Sequence, residues 1–438
     1  MQYLKIYQSL DEIPLTSLEW NQLVSHSETN TIFQTYEWFQ SWWKVFGAHN
    51  QLLLIIVYEN QELVGIAPLM ITGRYPNRVI KFVSDGKADY CDFIINREKK
   101  AILSVITKHI FSISHQWDSI ALTNIPEYSS TTKIFHETCS RYSNKIFIKI
   151  NTLCPTLIIQ DNQEAIIKLL NKTILKRRFN FFSKNGDLKF VNITDQELAQ
   201  QYLEVFYKQH IKRWGFQNKT SLFLDSNNRK FYQELTQSLL EKQWLIFSML
   251  EYNGKPIAFH FGFDYNSKII WYKPSFDTDY FKHSPGKVLL RFLIHHTLIN
   301  NKSEFDFSIG DEPFKNEFTN KKRMNLQVKI HKYKIQYFFE RYYYHFWLKL
   351  KQQSCSIDYC KTRVYDILTI PLCSSNCKRS APPLPTPSHD QIGNQEPVVP
   401  QYSLPHKGRW LWLGVWMVTL IILIVTRHPH SGWLEESP

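Results

Sequence analysis

Glycine is scarce in this chain, 14 residues in 438. A dinucleotide-binding fold needs glycines where backbone passes close to a pyrophosphate, so that class is set aside at the outset. Cysteine is sparse as well: seven residues in a chain of this size form no obvious disulfide framework. The opening stretch MQYLKIYQSLDEIPL reaches Asp11 and Glu12 before any apolar core develops, so no secretory leader is expected. No zinc-finger framework, RNP-like strand or helix-turn-helix pattern accompanies the formal net charge of +13. Nucleic acid is therefore not the expected partner. Lys176 to Arg178, Lys321 to Arg323, Lys329, Lys332 and Lys334 are better explained by anionic lipid headgroups, with a polyanionic acceptor or tRNA as alternatives.

Aromatic residues are plentiful, with 30 Phe, 23 Tyr and 13 Trp. Together with the chain length they supply cores for two domains. The one long uncharged run is WLWLGVWMVTLIILIVT (410–426), at the short end of what spans a bilayer and crowded with Trp410, Trp412 and Trp416. It is expected to be a membrane anchor (409–427) with a short tail (428–438). Nothing downstream is long enough to cover it as a buried helix. Lys378, Arg379, Lys407 and Arg409 on the near side place the body in the cytoplasm, on the inner membrane of a bacterium. The stretch before it, 351–408, contains APPLPTPSHDQIGNQEPVVPQYSLP and reads as an extended linker. Cys355, Cys360, Cys373 and Cys377 fall there, close to a zinc-ligand spacing but not matching it, so no metal is expected.

The globular part reads as α/β with mostly antiparallel mixed sheets. TYEWFQSWWKVF (35–46) has Phe39, Trp42, Trp43 and Phe46 at helical spacing. LLLIIVY (52–58) and ELVGIAPLMI (62–71) form a strand pair, VIKFV (79–83) a third strand, and WDSIALTNIP (117–126) closes the first unit. IFIKI (146–150) looks like an edge strand. In the second unit EAIIKLLNKTILKRRFNFF (164–182) is one amphipathic helix, and helices follow at 196–214 and 229–242. WLIFSML (244–250) and KPIAFHFGF (255–263) make a hairpin around Asn253-Gly254, IIWYK (269–273) adds a strand, and FDFSIG (305–310) is a last short one. Each unit runs helix, antiparallel strands, polar loop, helix, strand. The chain therefore divides into two similar domains, 1–155 and 156–350.

Chemistry concentrates in FKHSPGKVLL (281–290). A strand feeds a turn that opens a helix near Pro285 or Gly286, with Lys282, His283, Ser284 and Lys287 beside unpaired backbone N–H groups. That is a cradle for phosphate or pyrophosphate; an ordinary helix start with solvated lysines has the same pattern.

The stretch FHFGFDYNSKIIWYKPSFDTDYFKHSPGKVLLRFLI with FDFSIGDEPFKNEF (305–318) resembles the GNAT-superfamily acyltransferases of the CelD/BcsL-like type, which are associated with polysaccharide biosynthesis. FQTYEWFQSWWKVFG (33–47), LLLIIVYENQELVGIAPLM (52–70) and WDSIALTNIPE (117–127) agree with it. More distantly the chain is similar to FemAB-like transferases. The resemblance implies tandem GNAT-like domains over roughly 30–340, the first one degenerate. It implies acyl-CoA as co-substrate, with its pyrophosphate on Lys282, His283, Ser284, Gly286 and Lys287. The usual glycine-rich motif keeps only Gly286 here.

Phe314-Lys315 matches a pair that in FemAB-like enzymes holds the acyl donor or the developing oxyanion, although Lys315 equally reads as a surface lysine. Asp306 and Asp311 flank the neighbouring strand end. Asp306 and His260 are the candidates for a general base. The expected activity is acyl transfer to an amine or hydroxyl of a sugar or lipid-linked precursor. The alternatives are an aminoacyl-tRNA-dependent transferase and an inactive membrane-tethered scaffold of a polysaccharide assembly system.

Overall fold

The computed structural model describes residues 2–139 and 146–354. The linker expected over 351–408, apart from its first four residues, the anchor expected at 409–427 and the four C-terminal-side cysteines lie outside the described residues. Among the described residues no helix is long and apolar enough to cross a membrane.

The chain opens with strand β1 (Gln2–Tyr7), where the sequence reading placed only a lead-in. Helix α1 (Ser17–Ser25) follows, begun by a capping box between Thr16 and Glu19. Helix α2 (Tyr36–Phe46), capped by Thr35, buries Trp38, Phe39 and Trp42. Strands β2 (Gln51–Glu59) and β3 (Glu62–Thr72) form the expected hairpin, turning through left-handed Asn60 and Gln61. Then come β4 (Val79–Phe82), β5 (Ile94–Ile95), α3 (Lys99–Ser112), β6 (Ser119–Pro126), α4 (Thr131–Cys139) and β7 (Ile146–Ile158).

In the second half α5 (Gln163–Leu170) and α6 (Thr173–Asn185) replace the single helix expected over 164–182. The break falls at Asn171 and Lys172, where one helix ends and the next begins. Strand β8 (Leu188–Ile193), α7 (Gln196–Phe216) and α8 (Ser226–Glu241) precede β9 (Leu245–Tyr252), β10 (Lys255–Tyr265) and β11 (Lys268–Phe276). Helix α9 (Pro285–Ile299), β12 (Glu304–Asp306), the one-turn α10 (Pro313–Asn316), β13 (Lys321–His331) and α11 (Lys334–Ser354) complete the described chain.

All strands among the described residues belong to one mixed sheet, ordered β1-β2-β3-β4-β6-β13-β7-β12-β11-β10-β9-β8, with β5 paired to β3. The order reads alike from both ends. Each half lays down four strands in antiparallel sequence, then a fifth parallel to the fourth: β4 with β6, and β11 with β12. Each half then gives its last strand to the other, so β13 pairs with β6 and β7 pairs with β12. The two exchanged strands meet at the centre, antiparallel from Lys321↔Thr156 to Ile330↔Ile146.

IFIKI is thus the start of a central strand, not of an edge. Its alternation of apolar and polar residues fits either place, and its partners arrive from about residue 320 onward. The halves expected at 1–155 and 156–350 share this sheet inside one compact unit, residues 1–346. The internal repeat lies in topology, as its sequence order indicated.

The first half is braced by Asp92. Its buried carboxylate accepts from Thr29 Oγ1 (2.7 Å), Ser129 Oγ (2.6 Å) and Thr131 Oγ1 (2.5 Å), with Lys99 Nζ at 3.2 Å. Removing one partner of such a buried pair typically costs about 3–5 kcal/mol. Asp92→Ala is therefore expected to lower the unfolding midpoint of the whole 1–346 unit. Denaturation followed by a probe in each half checks this: coincident, equally shifted transitions are predicted, and a shift confined to the first half would contradict the shared sheet.

Candidate functional site

Strands β11 and β12 run parallel through Lys268↔Glu304, Ile269↔Phe305 and Ile270↔Asp306. There β12 ends, while β11 continues to Phe276. Beyond Asp306 the chain follows β7 instead, Phe307 N donating to Pro155 O and Gly310 N to Leu153 O. The FDFSIG segment is therefore a strand only to Asp306 and then a loop, with Ser308 left-handed. A wedge opens between β11 and the departing chain, with Asp306 at its apex.

Asp306 is buried. Tyr90 Oη donates to both its oxygens (2.9 and 3.0 Å) and Ser308 N to one (2.8 Å). Burial, and after it the neighbouring Glu304 carboxylate, push its pKa up to about 6. Glu304, two residues back, would also be raised by burial. It is nevertheless held below the ordinary carboxylate range by a two-pronged bond to Arg323 (2.6 and 2.9 Å), by Lys268 at 3.3 Å and by Thr156 Oγ1 (2.6 Å). Two acids in one site thus diverge, one ion-paired and lowered, one raised to about 6.

The first half completes this site. Its segment 84–92 crosses to the wedge and is fixed there by four contacts. Tyr272 Oη donates to Lys87 O (2.7 Å), Asn325 Nδ2 to Asp89 O (2.8 Å), Ser308 Oγ bonds the Asp89 carboxylate, and Tyr90 reaches Asp306. A small pocket lies on the same side, formed around Asp306 by Asn30, Thr31, Tyr90, Tyr128, Tyr265 and Arg323. Asn30 Oδ1 and Thr31 Oγ1 are buried without a hydrogen-bond partner among the described residues. Two unpaired acceptors and a proton-accepting carboxylate suit a ligand that brings N–H or O–H donors.

The structure does not place the other expected residues beside Asp306. His260 lies on the opposite face of the sheet, fully buried, its ring stacked on Trp271 at 4.6 Å. Burial pushes its pKa down to about 3, against a smaller pull from the Ile270 carbonyl, so it is a poor proton acceptor. Its ring also fills the space a side chain would need at Gly262, where a Cβ would lie 2.2 Å from the imidazole. The expectation that His260 serves as a general base thus meets a fully buried ring with a lowered pKa, away from Asp306.

Lys315 is buried and saturated. Its ammonium bonds Ile309 O (2.7 Å) and Gly310 O (3.3 Å) and pairs with Glu312 (2.6 Å). Two of its donors hold the turn after β12 and Glu312 balances its charge, so Lys315 positions that turn. Asp311 is exposed and paired with Lys322 at 2.7 Å.

The 282–287 loop does open a helix, with Pro285 as its first residue. Lys287 N and Val288 N both bond Ser284 O, which leaves Gly286 as the amide of that turn without a backbone partner among the described residues. Lys287 Nζ is paired with Glu317 (2.6 Å), and the His283 ring lies flat on Phe181 at 3.4 Å. Ser284 is left-handed and bonds no amide through its side chain, and Lys282 is exposed. A Cβ on Gly286 would come within 3.3 Å of the Phe276 ring.

Sequence reasoning missed Arg213 of α7. Its guanidinium sits 4.5 Å over that same Phe276 ring, donates to Pro274 O (2.8 Å), and keeps a buried Nε without a partner. Burial lowers its pKa to about 10, partly offset by Glu312, so it stays cationic. Next to it, Lys212 pairs with Asp277 (3.0 Å) and Asp279 (2.7 Å) and ties α7 to the loop. Nothing local in HIKRW marks either role, and both depend on α7 crossing β11. Among the described residues no cluster of His, Cys, Asp and Glu has the arrangement to hold a metal.

Residues 171–316 match the family model of an acetyltransferase (GNAT) domain. No curated protein matches the chain in sequence. Among solved structures, FemX is similar over 72% of this chain and 96% of its own, with TM-score 0.54 and 9% identity, a likeness of fold. L-PGS from Bacillus licheniformis (TM-score 0.45, 9% identity, 72% of this chain and 91% of that one) is also similar. So is a tandem GNAT protein from the clavulanic acid biosynthesis pathway (TM-score 0.43, 9% identity, 74% and 98%).

The shifted Asp306 carries a stability signature. Its folded pKa lies above the ordinary 3.8, so its contribution is complete below that value and is lost as pH rises toward about 6. Between those values the group reduces stability by roughly 1.4 kcal/mol per pH unit. Asp306→Asn should lack this slope. Tyr90→Phe should move it upward in pH, because a donor to the charged form is gone. Denaturant midpoints measured from pH 4 to pH 8 test both, and identical curves for all three proteins would show that Asp306 titrates normally.

Proposed function

We propose that this chain, whose residues 171–316 match a GNAT acetyltransferase domain, is an acyltransferase of the CelD/BcsL-like type with its reacting centre at the β11–β12 wedge. It moves an acyl group from acyl-CoA to an amine or hydroxyl of a sugar or lipid-linked precursor. The body sits on the cytoplasmic side of a bacterial inner membrane, tethered by the apolar run at 409–427. The observation that carries the activity is the buried Asp306 at the apex of the split strands, poised near neutrality and bonded by Tyr90.

The acceptor enters the pocket beside Asn30 and Thr31, its nucleophilic atom next to Asp306. As that atom attacks the thioester carbonyl, its proton passes to the Asp306 carboxylate. The tetrahedral adduct collapses by breaking the carbon–sulfur bond, and the thiolate leaves with the CoA and regains a proton. The donor's phosphates lie toward the Gly286 amide, Lys282 and Arg213, with Lys287 available once it leaves Glu317.

Loss of a general base typically costs about 10²–10⁴-fold in rate. Asp306→Asn should thus reduce kcat by that order, and the wild-type rate should climb with pH through about 6. Lys287→Ala should raise KM for acyl-CoA with kcat unchanged. Acyl transfer that is pH-independent and insensitive to Asp306→Asn would remove the base from this position.

A second reading rests on the loop itself. One free amide and a lysine already paired with Glu317 make a thin pyrophosphate site, as befits a donor held elsewhere. With a charge of +13, aminoacyl-tRNA is that donor. tRNA recovered with the purified chain, and no saturable binding of acetyl-CoA, would favour it. Binding of neither donor would leave the scaffold reading.

A further inference from the structure

Helix α11 carries an apolar stripe that the folded body does not use. Ile335, Phe338, Phe339, Tyr342 and Phe346 recur at three- and four-residue spacing, and each is at least half exposed, up to 72% for Tyr342. Such spacing on a helix normally marks the face turned to a core. Here a different face does the docking: Glu340 pairs with Lys329 (2.6 Å), His331 (2.8 Å) and Lys149 (3.5 Å), and Tyr337 and Tyr344 meet Phe147 edge-on. The three basic partners, in turn, hold the Glu340 carboxylate down to about 2. The helix is clamped to the central strands β7 and β13 by its polar side and presents its aromatic side outward. A contiguous exposed apolar patch of this kind marks an interaction surface.

We propose that this stripe is where the body lies on an anionic lipid bilayer, with α11 in the plane of the surface. Three observations select lipid as the occupant. The stripe is three Phe, one Tyr and one Ile, the kind of apolar face that an in-plane helix buries at the boundary of headgroups and acyl chains. Across 335–346 the helix carries exposed Arg341 against one acid, Glu340, and that acid is already neutralised by the body. The net positive charge is therefore left to meet headgroups of the opposite sign. The helix is 21 residues long, yet it is not apolar enough to cross, which is the combination of an in-plane helix. The inference stands apart from the transfer chemistry and from the apolar run at 410–426. It concerns how the globular body is oriented, and it survives if either of those readings fails.

Photo-crosslinking of the full chain tests it. The protein is reconstituted in vesicles of phosphatidylcholine and phosphatidylglycerol doped with a phospholipid bearing an acyl-chain diazirine, irradiated, and mapped by mass spectrometry. Lipid adducts are expected on α11 between 335 and 346, in addition to any at 410–426. They should diminish in pure phosphatidylcholine and at high salt. Phe338→Ser with Tyr342→Ser should abolish the adducts on α11 while leaving the thermal unfolding midpoint unchanged, because neither side chain is buried. Adducts confined to 410–426 would overturn the proposal. So would protein–protein crosslinks from α11 to a second copy or to the chain's own C-terminal segment in place of lipid adducts.

Discussion

The antiparallel pairing of β7 with β13 is the constraint on which the rest of the structure depends. It forces each half of the chain to lend its last strand to the other, so neither half can close its own sheet. A slip of one residue in this pair would turn Val328 and Ile330 out of the core and break the register on both flanks at once. The exchange also aligns the fifth strands, β6 and β12, on either side of the centre. Only in that arrangement can the first half's 84–92 segment reach the wedge of the second. Tyr90 and Asp306 lie 216 residues apart in sequence and meet because of it.

The site is accordingly a property of both halves. The second half supplies the split strands, the acid pair Glu304 and Asp306, and the helix start at Pro285. The first supplies the phenol that bonds Asp306, the backbone that roofs the wedge, and Asn30 and Thr31 on the pocket wall. Asp92 and its hydroxyl partners fix the end of that roofing segment from within the first half. The first half thus contributes geometry to the site.

Local features were legible in the sequence where local physics decides them. Asn253-Gly254 announced a hairpin, the Trp and Phe spacing of 36–46 announced a buried helix, and Pro285 announced a helix start. Asp306 was named with Asp311 as flanking the end of a strand expected over 305–310, and the strand stops at Asp306 instead. What remained hidden depended on distant partners. IFIKI reads alike at an edge or at the centre. His260 alternates with apolar residues as a solvated histidine would, yet Trp271 on the next strand covers it. Lys315 carries a motif lysine's signature and is tied up by two carbonyls and Glu312. Arg213 and Tyr90 have no sequence signal, since each acquires its role only when a helix or loop from elsewhere crosses β11 or β12.

Acyl transfer in the β11–β12 wedge, under the 84–92 segment, is the proposal on which the functional reading turns. The most direct measurement is to irradiate the full chain with a CoA thioester whose acyl group carries a diazirine, and to locate the adducts by mass spectrometry. Adducts are expected from both halves, in 84–92 and in 304–310, competed away by acetyl-CoA. Competable adducts that fall wholly outside these two segments would contradict it.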